Sequence, residues 1–203
     1  MEQIKKKILI YGGAFSPPHL GHASAIGLAL RSFHCDEIWI MPSADRRDKK
    51  ITADSANRKQ MLEIMIRELF PQPPVPLIIS SRELDRPRMT TTYETLMELE
   101  EKFPDTEFYF LIGADVLVDI ESKWFNGKEI YRLANFVVMD CRGIAVPSDL
   151  PANFIYLRNR EASTSGLSST TIRNLLLEHK NLDACLTPGV AAYIRQQKLY
   201  QPR

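Results

Sequence analysis

The hydrophobic positions of this chain fall into two patterns: continuous apolar runs, and runs that repeat at helical spacing. Short continuous runs indicate strands buried on both faces, whereas apolar residues that recur every third or fourth position indicate an amphipathic helix. On this basis the sequence predicts strands at residues 7–13, 37–41, 75–80, 107–114, 135–140 and 154–157. It predicts helices at 20–33, 90–103, 168–179 and 188–197, and one more that Asp54 or Ser55 caps and that carries apolar residues through Leu69.

Buried strands that alternate with helices are typical of the α/β class, in which helices cover both faces of a parallel sheet. The sequence contains no internal repeat, low-complexity tract or convincing linker, and the Pro-rich stretch at 70–76 is short enough for a turn. We therefore predict one doubly wound, Rossmann-like domain over residues 1–203. Ligands of such sheets bind at the carboxyl ends of the strands, where the strand order reverses.

The composition excludes several classes of protein. Hydrophobic residues make up 44% and charged residues 25% of the 203 positions, and the formal net charge is +1. This near-neutral charge argues against a nucleic-acid partner, and no apolar run is long enough to cross a membrane. Three scattered cysteines and an N-terminus without signal-peptide features predict a cytoplasmic protein without a disulfide framework. The sequence predicts no particular oligomeric state.

The first candidate site follows the first predicted strand, in the sequence IYGGAFSPPHLGH at residues 10–22. Gly12 and Gly13 lie at the end of this strand, where the absence of a Cβ lets a phosphate or a nucleoside approach the backbone. Pro17 and Pro18 fix the shape of the following connection but have no N–H group to donate. The turn therefore suits the close approach of a nucleotide.

His19 and His22 follow at a predicted helix start, so their spacing places both imidazoles on one face of the helix. First-turn N–H groups and the positive end of the helix dipole favour a polyphosphate there, and Gly21 removes side-chain bulk beside the ligand. Strand, paired glycines and H-x-G-H at a helix start together predict nucleotide binding. The alternatives are a pair of surface histidines and a zinc site, although no further Cys or His stands nearby at ligand spacing.

A second candidate site lies in GLSSTTIRNLL at residues 166–176. Ser168 or Ser169 caps a predicted helix, Thr170 follows, and Arg173 lies one turn further along on the same side. Hydroxyls, free first-turn N–H groups and a guanidinium together form a second anion site. Simple helix capping and an ordinary surface arginine are the alternatives, but the first motif favours a triphosphate held between two helix N-termini.

Together these residues resemble the H-x-G-H nucleotidyltransferase superfamily and, within it, the bacterial nicotinate mononucleotide adenylyltransferases. GGAFSPPHLGH and SSTTIR stand where the superfamily has its two phosphate signatures. FYFLIGADVL at 108–117, KWF at 123–125 and AAYIRQQKLY at 191–200 are similar to segments of the nicotinate branch. The resemblance covers nearly the whole chain and implies a nucleotidyltransferase fold in which helices at 168–200 pack on the sheet and complete the ATP site.

The resemblance also implies roles for individual residues. Three would contact the ATP phosphates, namely His19, His22 and Arg173. Five others would lie beside the nucleotide or near its phosphates, namely Gly12, Gly13, Phe15, Ser169 and Thr170. On the acceptor side, Trp124 would stack on the pyridine ring and Asp115 would be a polar partner of the bound nucleotides. Thr92 and the backbone N–H of Phe125 would receive the nicotinate carboxylate.

The acceptor side departs from the family pattern. The loop after the second predicted strand reads SADRRDKK, in which any of four basic residues could hold the acceptor phosphate: Arg46, Arg47, Lys49 or Lys50. The family's Tyr-Thr pair reads Thr91-Thr92 here, and its Arg-Arg-Pro-Gly reads DCRG at 140–143. The alternatives on this side are a solvated charged loop, a helix cap at Asp115 and an ordinary half-buried Trp124.

The resemblance implies adenylyl transfer from ATP to nicotinate mononucleotide, giving deamido-NAD and pyrophosphate, with Mg²⁺ bound mainly through the ATP phosphates. The acceptor phosphate, with a second pKa of about 6, is mostly dianionic and needs little help from a base. The alternatives are another phosphorylated acceptor such as nicotinamide mononucleotide or phosphopantetheine, CTP as the donor, or a nucleotide-binding module without catalysis. Intact His19, His22 and Arg173 favour an enzyme.

Overall fold

The computed structural model describes residues 5–44, 53–86, 88, 90–141, 144–158 and 167–201. Within these ranges six strands form one sheet: β1 (Lys6–Gly13), β2 (Glu37–Pro42), β3 (Leu77–Ile79), β4 (Thr106–Gly113), β5 (Asn135–Met139) and β6 (Phe154–Leu157). Their order is β3-β2-β1-β4-β5-β6, and every neighbouring pair is parallel. The predicted doubly wound, Rossmann-like α/β class is therefore confirmed.

Eight helices lie in the described part of the chain: α1 (Leu20–Ser32), α2 (Ser55–Leu69), α3 (Thr92–Lys102), α4 (Ala114–Leu117), α5 (Ile120–Lys123), α6 (Gly127–Leu133), α7 (Ser169–Leu177) and α8 (Pro188–Gln196). The sequence predicts five of them and misses α4, α5 and α6. These three have only four, four and seven residues, too few to repeat an apolar stripe at helical spacing. No helix among the described residues has the length and apolarity that a membrane span requires.

Side chains of the strands alternate between two buried faces of the sheet. Ile8 and Ile10 of β1 face a hydrophobic cluster to which α3, α4, α5 and α6 contribute. Leu9 faces the opposite side, where α1 covers the sheet. On that side Ile26 of α1 and Ile40 of β2 also join a cluster with α2, α7 and α8. Because both faces are covered, the strands read as continuous apolar runs.

The strand order reverses at β1, near the middle of the sheet. From β1 the chain continues outward to β2 and β3, and it then returns to β4 on the other side of β1. The carboxyl ends of β1 and β4 therefore flank the crevice in which ligands of doubly wound sheets bind. Helices α1 and α4 follow these two strands, so their first residues lie at this edge of the sheet.

Candidate active site

The turn after β1 places its two glycines in different surroundings. The space around Gly12 is open, since a Cβ built there meets no atom within 4 Å. At Gly13 an added Cβ would lie 3.2 Å from the ring of Phe15, which is buried and has a positive φ of 48°. Gly12 therefore leaves room beside the backbone, whereas Gly13 accommodates the Phe15 ring.

The imidazoles of His19 and His22 lie together at the start of α1. Their ring centroids are 3.7 Å apart, and His22 Nδ1 accepts a hydrogen bond from the His19 backbone N–H at 3.1 Å. His19 is the N-cap residue of α1 and is only 6% exposed. An added Cβ on Gly21 would lie 3.0 Å from the His19 ring. The His19 imidazole therefore packs in the space that a side chain at position 21 would occupy. This contact accounts for a glycine at position 21 without the expected role of clearing space beside a ligand.

Both imidazoles are neutral at neutral pH. Burial lowers the pKa of His19 to about 4. Burial also lowers the pKa of His22 well below its ordinary value, and the neighbouring His19 lowers it further. His19 Nδ1 is buried and forms no hydrogen bond with the described residues. A neutral imidazole carries one N–H donor, and a bound phosphate would supply both an acceptor and a negative charge that favours protonation.

Helix α7 begins where the second motif predicts. Ser168 is its N-cap, and its hydroxyl accepts a hydrogen bond from the Thr171 N–H at 3.0 Å. This decides the choice between Ser168 and Ser169 as the cap. Ile172 is fully buried in the cluster that α7 shares with α1, α2 and α8. The burial of Ile172 fixes which side of α7 faces the core.

Hydrogen bonds join the start of α7 to the turn after β1. Ser169 Oγ donates to the Pro17 carbonyl at 2.9 Å. Arg173 Nη1 donates to the Ser16 carbonyl at 2.8 Å, and its Nη2 donates to Thr170 Oγ1 at 3.0 Å. The structure therefore brings the two sequence motifs together, although more than 150 residues separate the bonded partners.

Asp115 lies at the carboxyl end of β4, the strand beside β1. The N-cap of α4 is Gly113, so Asp115 is not a helix cap. Its Oδ1 accepts a hydrogen bond from Cys141 Sγ at 3.0 Å. Burial is the main reason why the pKa of the Tyr11 hydroxyl is raised, and the nearby Cys141 and Asp115 raise it further. The Tyr11 ring centroid lies 6.1 Å from that of His22. Asp115 therefore lies on the same edge of the sheet as the histidine pair.

Thr92, Trp124 and Phe125 form a second group. Thr92 is the first residue of α3. Trp124 follows α5 and is half-buried against the core that α3 to α6 cover, so part of its indole remains accessible. Phe125 is 59% exposed, and its ring centroid lies 6.3 Å from that of Tyr93, the residue after Thr92. The start of α3 and the Trp124–Phe125 segment are therefore neighbours.

The remaining candidates on the acceptor side lie outside the described residues. They belong to the loop after β2 and to the DCRG sequence after β5: Arg46, Arg47, Lys49, Lys50, Arg142 and Gly143. The expectation that one of the four basic residues after β2 receives the acceptor phosphate stays a prediction.

Comparison with known proteins identifies the family. A family described as cytidylyltransferase-like matches residues 10–175. A relative from Bacillus cytotoxicus is 31% identical over 200 residues, which cover 97% of this chain and 99% of the relative. A relative from Oceanobacillus iheyensis is 32% identical over 196 residues, which cover 96% and 97%. Both bear the name "Probable nicotinate-nucleotide adenylyltransferase". This chain belongs to the nicotinate-nucleotide adenylyltransferase family.

A solved structure of this kind shares the fold. The nicotinic acid mononucleotide adenylyltransferase of Plasmodium falciparum, complexed with NaAD, superposes with a TM-score of 0.84. It is 24% identical in sequence, and the match covers 96% of this chain and 97% of that chain. This superposition confirms the fold, and the family match and the two relatives confirm the resemblance to the nicotinate branch.

Two residues outside the predicted site also contact the turn after β1 in this member of the family. Arg58 of α2 is fully buried, and its Nη1 donates to the carbonyls of Ala14 and Ser43, both at 2.8 Å. The hydroxyl of Tyr200, near the C-terminus, is hydrogen-bonded to Ser16 Oγ at 3.1 Å. The sequence carries one signal for Arg58, because helical spacing places it on the apolar stripe of α2. That stripe includes Met61, Leu62 and Met65.

Proposed function

We propose that this protein transfers the adenylyl group of ATP to nicotinate mononucleotide, forming deamido-NAD and releasing pyrophosphate. Its family supports this reaction, since the relatives are named nicotinate-nucleotide adenylyltransferases. One observation carries the ATP half of the proposal: Ser169 and Arg173 join the start of α7 to the turn that leads to the histidine pair. The N-termini of α1 and α7 and the Arg173 guanidinium therefore lie close together, an arrangement that suits a bound polyphosphate.

On the ATP side, we assign contacts with the phosphates to His19, His22 and Arg173. Hydrogen bonds to described residues use two of the five N–H donors of Arg173, so the guanidinium retains donors for phosphate oxygens. The open space at Gly12 supports a nucleotide beside the backbone. The other residues assigned to the nucleotide and its phosphates are Gly13, Phe15, Ser169 and Thr170.

On the acceptor side, we assign the pyridine mononucleotide to Thr92, Trp124 and Phe125, with Asp115 at the end of β4. A half-buried indole offers a flat apolar surface on which a pyridine ring stacks. The N-terminus of the eleven-residue helix α3 favours a carboxylate. The Thr91 N–H already donates to Glu94 at 2.8 Å. Following the family resemblance, we assign the nicotinate carboxylate to Thr92 and to the Phe125 N–H.

The reaction is an in-line displacement at the α-phosphorus of ATP. An oxygen of the acceptor phosphate forms a bond to this phosphorus, while the bond to the oxygen that bridges the α- and β-phosphates breaks and pyrophosphate leaves. The acceptor phosphate is mostly dianionic at neutral pH, so no general base is required. Two anions must still meet, and the protein therefore works by positioning them and by stabilising their charge.

We propose that Mg²⁺ arrives as part of the ATP substrate. Mg²⁺ prefers oxygen ligands and is commonly held through substrate phosphates and water. The groups assigned to the ATP phosphates are imidazoles and a guanidinium, which fit phosphate oxygens better than they fit this cation. Among the described residues, no cluster of three His, Cys, Asp or Glu has the arrangement of a metal site. No protein ligand is therefore assigned to the ion, which would neutralise phosphate charge when bound.

We also propose that the protein works in the cytoplasm on small molecules, without a nucleic-acid or membrane partner. All three cysteines of the chain are free thiols in the structure, as a reducing compartment favours. The net charge of +1 provides no general attraction for nucleic acid or for an anionic membrane surface.

The experiment that tests the function is a pyrophosphate-release assay with a panel of acceptors. The acceptors are nicotinate mononucleotide, nicotinamide mononucleotide and phosphopantetheine, each with ATP and with CTP. We expect the highest kcat/KM for ATP with nicotinate mononucleotide. A clear preference for another pair would replace the assigned substrates. Pyrophosphate from no pair, despite measurable ATP binding, would favour a nucleotide-binding module.

A further inference from the structure

Several later parts of the chain hold the turn between β1 and α1. Three of its backbone carbonyls, those of Ala14, Ser16 and Pro17, accept hydrogen bonds from side chains of other elements. Two of the donors, Arg173 and Ser169, belong to the second phosphate motif. The third donor lies outside both motifs, in α2, and a further contact comes from the segment after α8.

Arg58 reaches the turn from α2. Its fully buried side chain uses one nitrogen, Nη1, to donate to both the Ala14 and the Ser43 carbonyl. These residues directly follow β1 and β2, and the Ser43 N–H in turn donates to the Gly13 carbonyl at 2.8 Å. One guanidinium therefore ties together the ends of two neighbouring strands at the point where the turn begins. Its removal would leave two carbonyls without this donor, which is costly in a buried place.

Tyr200 reaches the same turn from the segment after α8. Its side chain is 7% exposed, and its hydroxyl is hydrogen-bonded to the buried Ser16. Ser16 also provides the carbonyl that Arg173 binds, so Tyr200 and Arg173 converge on one residue of the turn. Burial raises the pKa of Tyr200 to about 12. The hydroxyl therefore stays protonated, and this contact does not change with pH across the physiological range.

We propose that Arg58 and Tyr200 are positioning residues that hold the Ala14–Pro17 backbone so that the histidine pair and Arg173 bind one polyphosphate. This inference rests on the proposed function. The two residues act through backbone and side-chain atoms of the turn and are not themselves assigned to either substrate. Because a displacement of about 1 Å at a reacting centre costs a large factor in rate, loosening the turn lowers turnover without removing any phosphate ligand.

The first test compares Tyr200→Phe with Tyr193→Phe. Tyr193 of α8 is a matched control, because its hydroxyl donates to Asn57 of α2 at 2.8 Å and not to a residue of the turn. The measurements are kcat, the KM of each substrate, the dissociation constant of ATP and the thermal midpoint. We expect Tyr200→Phe to lower kcat about tenfold and to weaken ATP binding. We expect Tyr193→Phe to lower only the thermal midpoint.

The second test compares Arg58→Lys with Arg58→Met. Since one nitrogen makes both hydrogen bonds, a lysine ammonium with its three donors can replace it, whereas methionine cannot. We expect Arg58→Met to lower kcat about tenfold or more and Arg58→Lys to recover most of that loss. If Arg58→Met does not fold, the comparison of the two tyrosine variants decides the inference by itself.

Two results would overturn the inference. One is equal kcat and equal ATP affinity in Tyr200→Phe and Tyr193→Phe. The other is a folded Arg58→Met variant with the kcat of the wild-type protein. A failure of the proposed function is a different result, namely no pyrophosphate release by the wild-type protein with any acceptor. In that case the dissociation constants of ATP still decide whether Arg58 and Tyr200 hold the polyphosphate-binding turn.

Discussion

The turn after β1 and the segment around Trp124 form the two halves of one proposed site, and they are held in different ways. Three hydrogen bonds connect the turn to residues at least 152 positions later in the chain. Around Trp124 the neighbouring helices have only four to seven residues, and Phe125 and Val118 are exposed. The turn after β1 is thus tied to distant parts of the molecule, whereas the segment around Trp124 lies between short helices.

This difference matches what each half has to bind. Charge that shifts on a polyphosphate is best stabilised by donors that are already in place, because reorganising them during the reaction costs free energy. An aromatic stacking surface tolerates small displacements, because its attraction has no single required direction. We therefore expect substitutions in the polyphosphate half to act mainly on turnover and those in the acceptor half to act mainly on acceptor affinity.

The largest expected effect comes from His22→Ala. Loss of a preorganised donor to the phosphates should lower kcat about 100-fold or more while the protein stays folded. Steady-state kinetics and circular dichroism measure the two quantities. The control is His34→Ala, which removes an exposed imidazole after α1 and should change neither. A folded His22→Ala variant with near-normal turnover would remove this histidine from the mechanism.

A smaller effect is expected from Trp124→Ala. Stacking of a base on an aromatic side chain contributes about 1–3 kcal/mol, so the KM of the pyridine mononucleotide should rise about tenfold. The KM of ATP should change little, and Trp124→Phe should keep part of the acceptor affinity. Initial rates with each substrate varied in turn provide the comparison. Equal losses for both substrates would indicate that Trp124 only packs against the core.

Acid should affect the polyphosphate half through its buried histidines. The pKa of His19 is about 4 in the folded protein, below the ordinary value of 6.5, so the unfolded chain binds a proton that the folded protein does not. Stability should therefore fall as the pH is lowered from 6.5 towards 4. We expect the urea midpoint of the wild-type protein to fall between about pH 7 and about pH 5, and to fall less in His19→Asn. The same fall in both proteins would assign the acid sensitivity to other groups.

The smallest effect is expected from Cys141→Ala. This change removes the thiol that donates to Asp115, and a thiol is a weak donor, so the KM of either substrate should change about twofold at most. Cys141→Ser keeps a donor in place and should behave like the wild-type protein. A rise in KM of about tenfold or more in Cys141→Ala alone would contradict this expectation. It would mean that the position of Asp115 matters as much as the positions of the groups in the polyphosphate half.

The sequence by itself determined the features whose signals are local. Apolar runs and helical spacing predict the strands and the longer helices, and the spacing of His19 and His22 places both imidazoles on one face of α1. The sequence also limits the cap of α7 to Ser168 or Ser169, and the bond that identifies Ser168 is to a residue only three positions away. Such features depend on neighbours within one or two turns of the chain, so they can be predicted without knowledge of the packing.

Only the tertiary structure decided which distant residues hold these local features in place. It assigns Arg58 to the ends of β1 and β2 and Tyr200 to Ser16, and it explains Gly21 by the His19 ring. The tertiary structure also reveals α4, α5 and α6, which are too short for apolar residues to repeat at helical spacing. The physical reason is that these contacts exist only after the parallel sheet has brought together strand ends and helices that are far apart in the sequence.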